Sequence, residues 1–144
     1  MSDFLITVKM RLLFIFGFLL ITIICFSQSR EMTDELINKS NAIQLIFAET
    51  NDEAKKLAKQ DIENGNLFLF IQSGIAPVVY STDSIFENTY KVHYYEQGCT
   101  GPDYELMKEY NHMVFDYFFQ IYEMEWKKTI RNDVIGLKNW KQDR

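Results

Sequence analysis

A chain of 144 residues has room for one domain, and its formal charge of -5, from 20 acidic against 15 basic side chains, sets it against phosphate backbones. Most nonspecific nucleic-acid affinity is electrostatic, so nucleic acid is excluded as a partner class. Two cysteines, Cys25 and Cys99, are too few for a disulfide framework.

The chain opens on a leader pattern. Lys9 and Arg11 precede an apolar run from Leu12 to Phe26, and Ser27-Gln28-Ser29 follows with small and polar side chains. Basic, apolar and polar regions in that order mark a secretory signal peptide, here residues 1–27, with either Met1 or Met10 as its start. The run is shorter than the roughly 20 residues a membrane span needs, so membrane contact is expected only through the leader, an uncleaved anchor being the alternative. Ile24 is too bulky for a lipidation site at Cys25. Cleavage near Ser27 removes Cys25 and leaves Cys99 without a disulfide partner in an oxidising compartment. The expected location is periplasmic or secreted. About 115 residues remain, enough for one modest core.

Residues 28–40 read as a linker or short helix, and residues 41–144 as a single domain. Ala42 to Ala48 is mostly apolar and reads as a strand covered on both faces. Thr50 or Asn51 then caps a helix with Asp52 and Glu53 in its first turn and Ala54, Leu57, Ala58 and Ile62 on one face, stopped by Gly65. Leu67 to Ile71 is the next strand, which makes the first half a βαβ unit with parallel strands. Gln72-Ser73-Gly74 turns the chain. Pro77 to Tyr80 is a further extended piece that its proline confines to an edge or a strand start, its pairing left open.

Ser81 to Ser84 offers caps for a short helix from Ile85 to Tyr90, and Lys91 to Gln97 reads as a strand of β-branched and aromatic residues that Gly98 ends. Thr100 is placed to cap the longest helix, with Pro102 in its first turn and Asp103 favouring its positive end. Leu106, Tyr110, Met113, Tyr117 and Ile121, with Met107, Val114 and Phe118 beside them, give that helix a broad apolar stripe about 30 Å long that needs a sheet to cover. Trp126, Ile130, Val134 and Leu137 space a last helix ending near Gly136, with Trp140 in a folded-back tail. The fold class expected is α/β: a small three- to four-stranded sheet, at least partly parallel, with alternating helices, a long C-terminal helix and a final shorter one.

At Phe86-Glu87-Asn88-Thr89-Tyr90, followed by the aromatic strand and Gly98-Cys99-Thr100-Gly101-Pro102, the chain resembles the small exported bacterial proteins named for a Phe-Glu-Lys-Lys-Tyr motif, the FEKKY domain proteins. The similarity runs on through Glu105 to Asn111 and Arg131 to Gly136, and covers most of the chain from Asp52 onward. Asn88 and Thr89 stand where the motif has lysines. The resemblance implies an envelope protein and carries no assigned activity.

Three constellations bear on chemistry. Cys99 just before a helix start is a candidate nucleophile, because a helix N-terminus stabilises a thiolate, with His93 as base or Asp103 as acid. Against it, strand alternation sets His93, Tyr95 and Gln97 on one face while Cys99 lies past a glycine, and a small structural thiol is the ordinary outcome. Glu105, Glu109, His112, Asp116 and Gln120 line the polar face of the long helix with one Glu-x-x-His pair, where di-iron bundles use two, so a solvated face is expected and no metal or other cofactor is implied. Ligands in open parallel sheets bind outside the strand ends, which singles out the loops Gln72 to Pro77 and Gly98 to Asp103, with Ser73, Gly74, Tyr95 and Gln97 as the ligand-binding candidates. Neither loop is a phosphate cradle.

Phe115, Phe119 and Tyr122 extend the long helix's apolar surface beyond one stripe, which calls for the Trp126 segment or a homodimer partner to cover it. The functional expectation is an exported, noncatalytic binding or interaction protein whose partner is an unknown protein or small molecule. The alternatives are a hydrolase or transferase using Cys99, and a secreted immunity or inhibitor protein.

Overall fold

A computed structural model describes residues 33–72, 74, 76 and 78–142, with the side chain of Cys99 outside the description. The leader of residues 1–27, Cys25, Ser73 and Pro77 lie outside the described residues. Helix α1, Asp34–Lys39, starts at Thr33, whose hydroxyl accepts from the Leu36 amide, so the segment expected as linker or short helix is helical. A 3-10 helix, Ile43–Phe47, stands where the sequence suggests a strand. Ala42 and Leu45 are fully buried while Phe47 is 77 % exposed, and burial at every third position is the 3-10 repeat rather than the two-residue strand repeat. The segment is tied down at its start, where the Asp61 carboxylate accepts from the Asn41 amide at 2.8 and 3.0 Å and from its side chain at 2.9 Å.

Helix α2, Asn51–Asn64, opens on a complete capping box between Thr50 and Glu53 and stops at Gly65, which sits at φ 67°. Strand β1, Leu67–Ile71, follows; then helix α3, Asp83–Tyr90, and strand β2, Val92–Glu96. The two strands pair in parallel, Leu67 opposite Val92 through Ile71 opposite Glu96. The parallel crossover therefore runs through α3, one unit later than the sequence suggests. Val78 to Tyr80 is an exposed loop, and among the described residues the sheet has two strands, not three or four.

The long helix α4, Tyr104–Tyr122, has the expected extent and buries Leu106, Tyr110, Val114 and Phe118 of the expected stripe, but the buried face is shifted to take in Asn111 and Phe115. Tyr110, Asn111, Val114, Phe115 and Phe118 are fully buried, whereas Ile121 is 56 % exposed. The face has turned because α4 runs along the edge of β1 rather than across the sheet. Asn111 Oδ1 accepts from the Phe70 amide at 2.9 Å, and Asn111 Nδ2 donates to Phe70 O at 2.8 Å and Ile135 O at 2.9 Å. The neighbouring Tyr110 hydroxyl meets the Phe68 amide and donates to Asp61 Oδ2 at 2.6 Å. The outer edge of β2 is closed the same way: Glu87 of α3 accepts from the Tyr94 amide at 2.8 Å. Phe86 and Tyr90, on either side of Glu87 in the motif, pack rings with each other, and Phe86 stacks on Tyr94 at 5.3 Å between centroids.

The C-terminal segment is not one helix. Trp126 lies in a 3-10 turn, Glu125–Lys128, and donates its indole N–H to Glu123 O. Residues 133–135 then run antiparallel beside β1, with Gln72 N donating to Asp133 O and Ile135 N to Phe70 O, both at 3.0 Å. Gly136 precedes helix α5, Leu137–Gln142, rather than ending a helix. At φ 77°, with an added Cβ only 2.7 Å from Lys108 Cγ, glycine is what lets the segment cross α4. Trp140 on α5 donates to Asp116 Oδ1 at 2.7 Å and, with Trp126, covers Phe115. The second apolar layer is thus supplied from within the chain. Among the described residues no helix is long and apolar enough to cross a membrane.

Arg131, buried with 9 % exposure, binds Asp133 with two nitrogens, donates to Asp83 Oδ2 and Val78 O, and lies over the Tyr80 ring. It holds the loop before α3 against the C-terminal segment, and its hydrogen bonds keep the Asp133 carboxyl below the ordinary range. Asp61 shifts the other way: burial raises it, against the donors from Tyr110, Asn41 and Ala42. An acid raised by folding contributes stability that is present below its unfolded pKa of 3.8 and lost as pH rises through the folded value. Urea unfolding of the wild type and Asp61→Asn from about pH 4 to about pH 7 is therefore expected to show the wild-type advantage shrinking as pH rises. An advantage that grows with pH would mean that the donors outweigh burial.

Candidate functional site

Both strands run in the same direction, so their C-terminal ends open on the same side of the sheet. There β1 leaves through Ile71 and Gln72, and β2 leaves through Gln97 and Gly98. Gly101 and Pro102 lead the chain back into α4, and Tyr104 and Met107 of its first turns complete the near wall. The far wall is Ile135, carried there by the strand-like pairing of residues 133–135 with β1. Together they enclose a cleft of about 450 Å³, within the range of small-molecule sites.

Two local features set its shape. Gly98, at φ 67°, turns the chain out of β2. Gly101 passes so close to the strand exit that a Cβ on it would lie 2.5 Å from Gln97 Cβ, so a side chain there would displace Gln97. The β1 loop is drawn over the same end, because the Gly74 amide donates to Glu96 Oε1 at 3.0 Å.

Among the described residues that line the cleft none is charged, in a chain of formal charge -5. Its polar groups are amides and a phenol. Gln72 is exposed, Tyr104 is 45 % exposed, and the buried Gln97 Nε2 finds no acceptor among the described residues. An unpaired buried amide N–H costs about 1–3 kcal/mol. The nearby carboxylates are already occupied, Glu96 by Gly74 and Asp103 by the Glu105 amide at 2.8 Å.

The candidate residues from the sequence separate in this frame. Gln97 lines the cleft; Gly74 lies beside it, bonded to Glu96. Tyr95 is not among the residues lining the cleft and packs its ring against Phe68 and Phe70. His93 is 1 % exposed with its ring 5.7 Å from that of Phe68, inside the core rather than at the opening. Ser73 lies outside the described residues. Asp103, not Thr100, is the N-cap of α4, so its carboxylate is engaged in the helix start. Cys99 belongs to the single 3-10 turn Gly98–Thr100 and stands ahead of α4 rather than on its first turn. The helix dipole invoked for a thiolate falls off within the first turn.

The acidic face of α4 is drawn into structural contacts as well. Glu109 pairs with Lys55 at 3.2 Å, His112 sets Nε2 3.2 Å from Gly136 O, and Asp116 receives Trp140. Among the described residues no three His, Cys, Asp or Glu side chains come together as a metal site. A second hollow of about 300 Å³ lies beside Phe47, between the 3-10 helix and α2.

Sequence reasoning about strand ends reaches Gln72 and the Gly98 to Pro102 turn but misses Tyr104, Met107 and Ile135. The first two follow once the helix start is placed at Asp103. Ile135 carries no local signal, since its position depends on pairing with a strand more than sixty residues away. No family model, curated protein or solved structure matches the chain.

Proposed function

We propose that the chain is an exported, noncatalytic binding domain of the bacterial envelope, and that its ligand sits in the uncharged cleft beyond the C-terminal ends of β1 and β2. The observation that carries the binding part is the cleft itself: a hollow of about 450 Å³ walled by chain-distant segments, with an unpaired buried amide at Gln97. Open α/β sheets place ligands at this end for a geometric reason, because the chain diverges there into separate loops. The leader pattern of residues 1–27 supports export. The likeness of Phe86 to Gly98 to the FEKKY domain proteins supports the envelope as destination.

A hydrolase or transferase needs a nucleophile, a base and an acid at one opening. His93 packed under Phe68 and Asp103 capping α4 favour the binding reading over that one.

The test uses protein purified after expression with its leader. A panel of neutral polar small molecules, followed by amide resonances, is expected to yield binders that move Gln72, Gly98, Gly101, Tyr104 and Ile135 as one set. Gly101→Ala, which pushes Gln97 into the opening, is expected to abolish those shifts while the melting transition persists. Shifts confined to other surfaces, or identical in Gly101→Ala, would overturn the assignment.

A further inference from the structure

The cleft's chemistry narrows what fills it. Transferring a charged ligand group out of water without a counter-charge costs several kcal/mol, and among the described residues that line the cleft none offers one. Carboxylates, phosphates and amines are therefore poor occupants. The acidic chain further disfavours the anions among them.

An extended peptide is disfavoured for a separate reason. Strand addition requires an open sheet edge, whereas Asn111 and residues 133–135 take the edge of β1 and Glu87 binds the Tyr94 amide on that of β2. What remains is a neutral molecule that brings its own donors and acceptors on a partly apolar frame.

The polar and apolar groups suit a ring that carries hydroxyls. Gln72 and Gln97 each hold an amide, which donates and accepts side by side and so matches a hydroxyl that does both. Gln97 lines the cleft, its buried nitrogen has no acceptor among the described residues, and the last side-chain torsion is broad and soft, so the amide can turn toward a ligand oxygen. Tyr104, 45 % exposed on the near wall, offers a flat ring, and Pro102 and Met107 extend that apolar side. One polar wall and one aromatic wall fit the hydroxyl-bearing edge and the C–H face of a sugar ring.

Resting on the binding reading above, we infer that the cleft takes a neutral saccharide, stacked on Tyr104 and hydrogen-bonded by the amides of Gln97 and Gln72. The probes are maltose and N-acetylglucosamine disaccharide, with acetylated and amidated dialanine as the neutral peptide control, titrated into the leader-processed protein and its Tyr104→Ala and Gln97→Leu variants by amide resonances. At least one disaccharide is expected to shift the Gly98, Gly101 and Ile135 amides, with affinity falling about tenfold or more in each variant, a difference of about 1.4 kcal/mol. Tyr104 is half exposed at the helix start, so its alanine variant is expected to keep the wild-type spectrum elsewhere. Binding of the blocked dipeptide alone would overturn the saccharide and leave the cleft as a binding site. Saccharide shifts of equal affinity in both variants would overturn the proposed seating, and no shift at the cleft with any neutral probe would remove both readings.

Discussion

A two-stranded sheet buried in a protein has two edges, and every amide and carbonyl along them needs a partner. Leaving one such group unsatisfied costs about 1–3 kcal/mol, a large share of the 5–15 kcal/mol that separates folded from unfolded domains. This chain meets the requirement partly with helix side chains and partly with the backbone of residues 133–135, which pairs antiparallel with β1. Asn111 acts as a one-residue strand for Phe70, accepting from its amide and donating to its carbonyl, while Tyr110 meets Phe68 and Glu87 meets Tyr94. The arrangement explains why α4 lies edge-on, why its buried face is centred on an asparagine, and why α2 carries a buried aspartate to receive the Tyr110 hydroxyl.

The same contacts determine where a ligand has access. With both edges closed and both faces of β1 buried, the strand ends are what the sheet still offers. Asn111 also holds Ile135 O, and Ile135 N returns to Phe70 O, so the residue that seals the edge also fixes the far wall of the cleft. Arg131 reinforces this by binding Asp133 and the loop before α3 together. The site is therefore a by-product of how the sheet is terminated, and its uncharged lining follows from segments whose charged neighbours are already paired.

The parts legible in the sequence are those written in local chemistry. The Thr50 capping box, the Gly65 stop, both strands and the extent of α4 depend on residues within a few positions of each other. The Ala42 to Ala48 run reads as a strand by its apolar pattern, yet it forms a 3-10 helix whose start is bonded to Asp61 twenty residues away. Trp126, Ile130, Val134 and Leu137 are all buried, as their spacing suggests, yet in four different local structures. Hydrophobic spacing reports burial there without reporting conformation. Asn111 and Arg131 are the least legible, because a polar or charged residue is read as solvent-facing until its distant partners are known. The strand-end position of the cleft follows from topology, whereas its Tyr104 and Ile135 walls depend on a helix start and a pairing that sequence alone misplaces.

The central claim is that helix side chains hold the Phe70 and Tyr94 amides at the sheet edges as firmly as a further strand would. Native-state hydrogen exchange of individual amides tests it, because an edge that frays exchanges without global unfolding. The account predicts that Phe70 and Tyr94 N–H exchange as slowly as the amides joining β1 to β2. Exchange of either amide through local opening, orders of magnitude faster than those inter-strand amides, would contradict it.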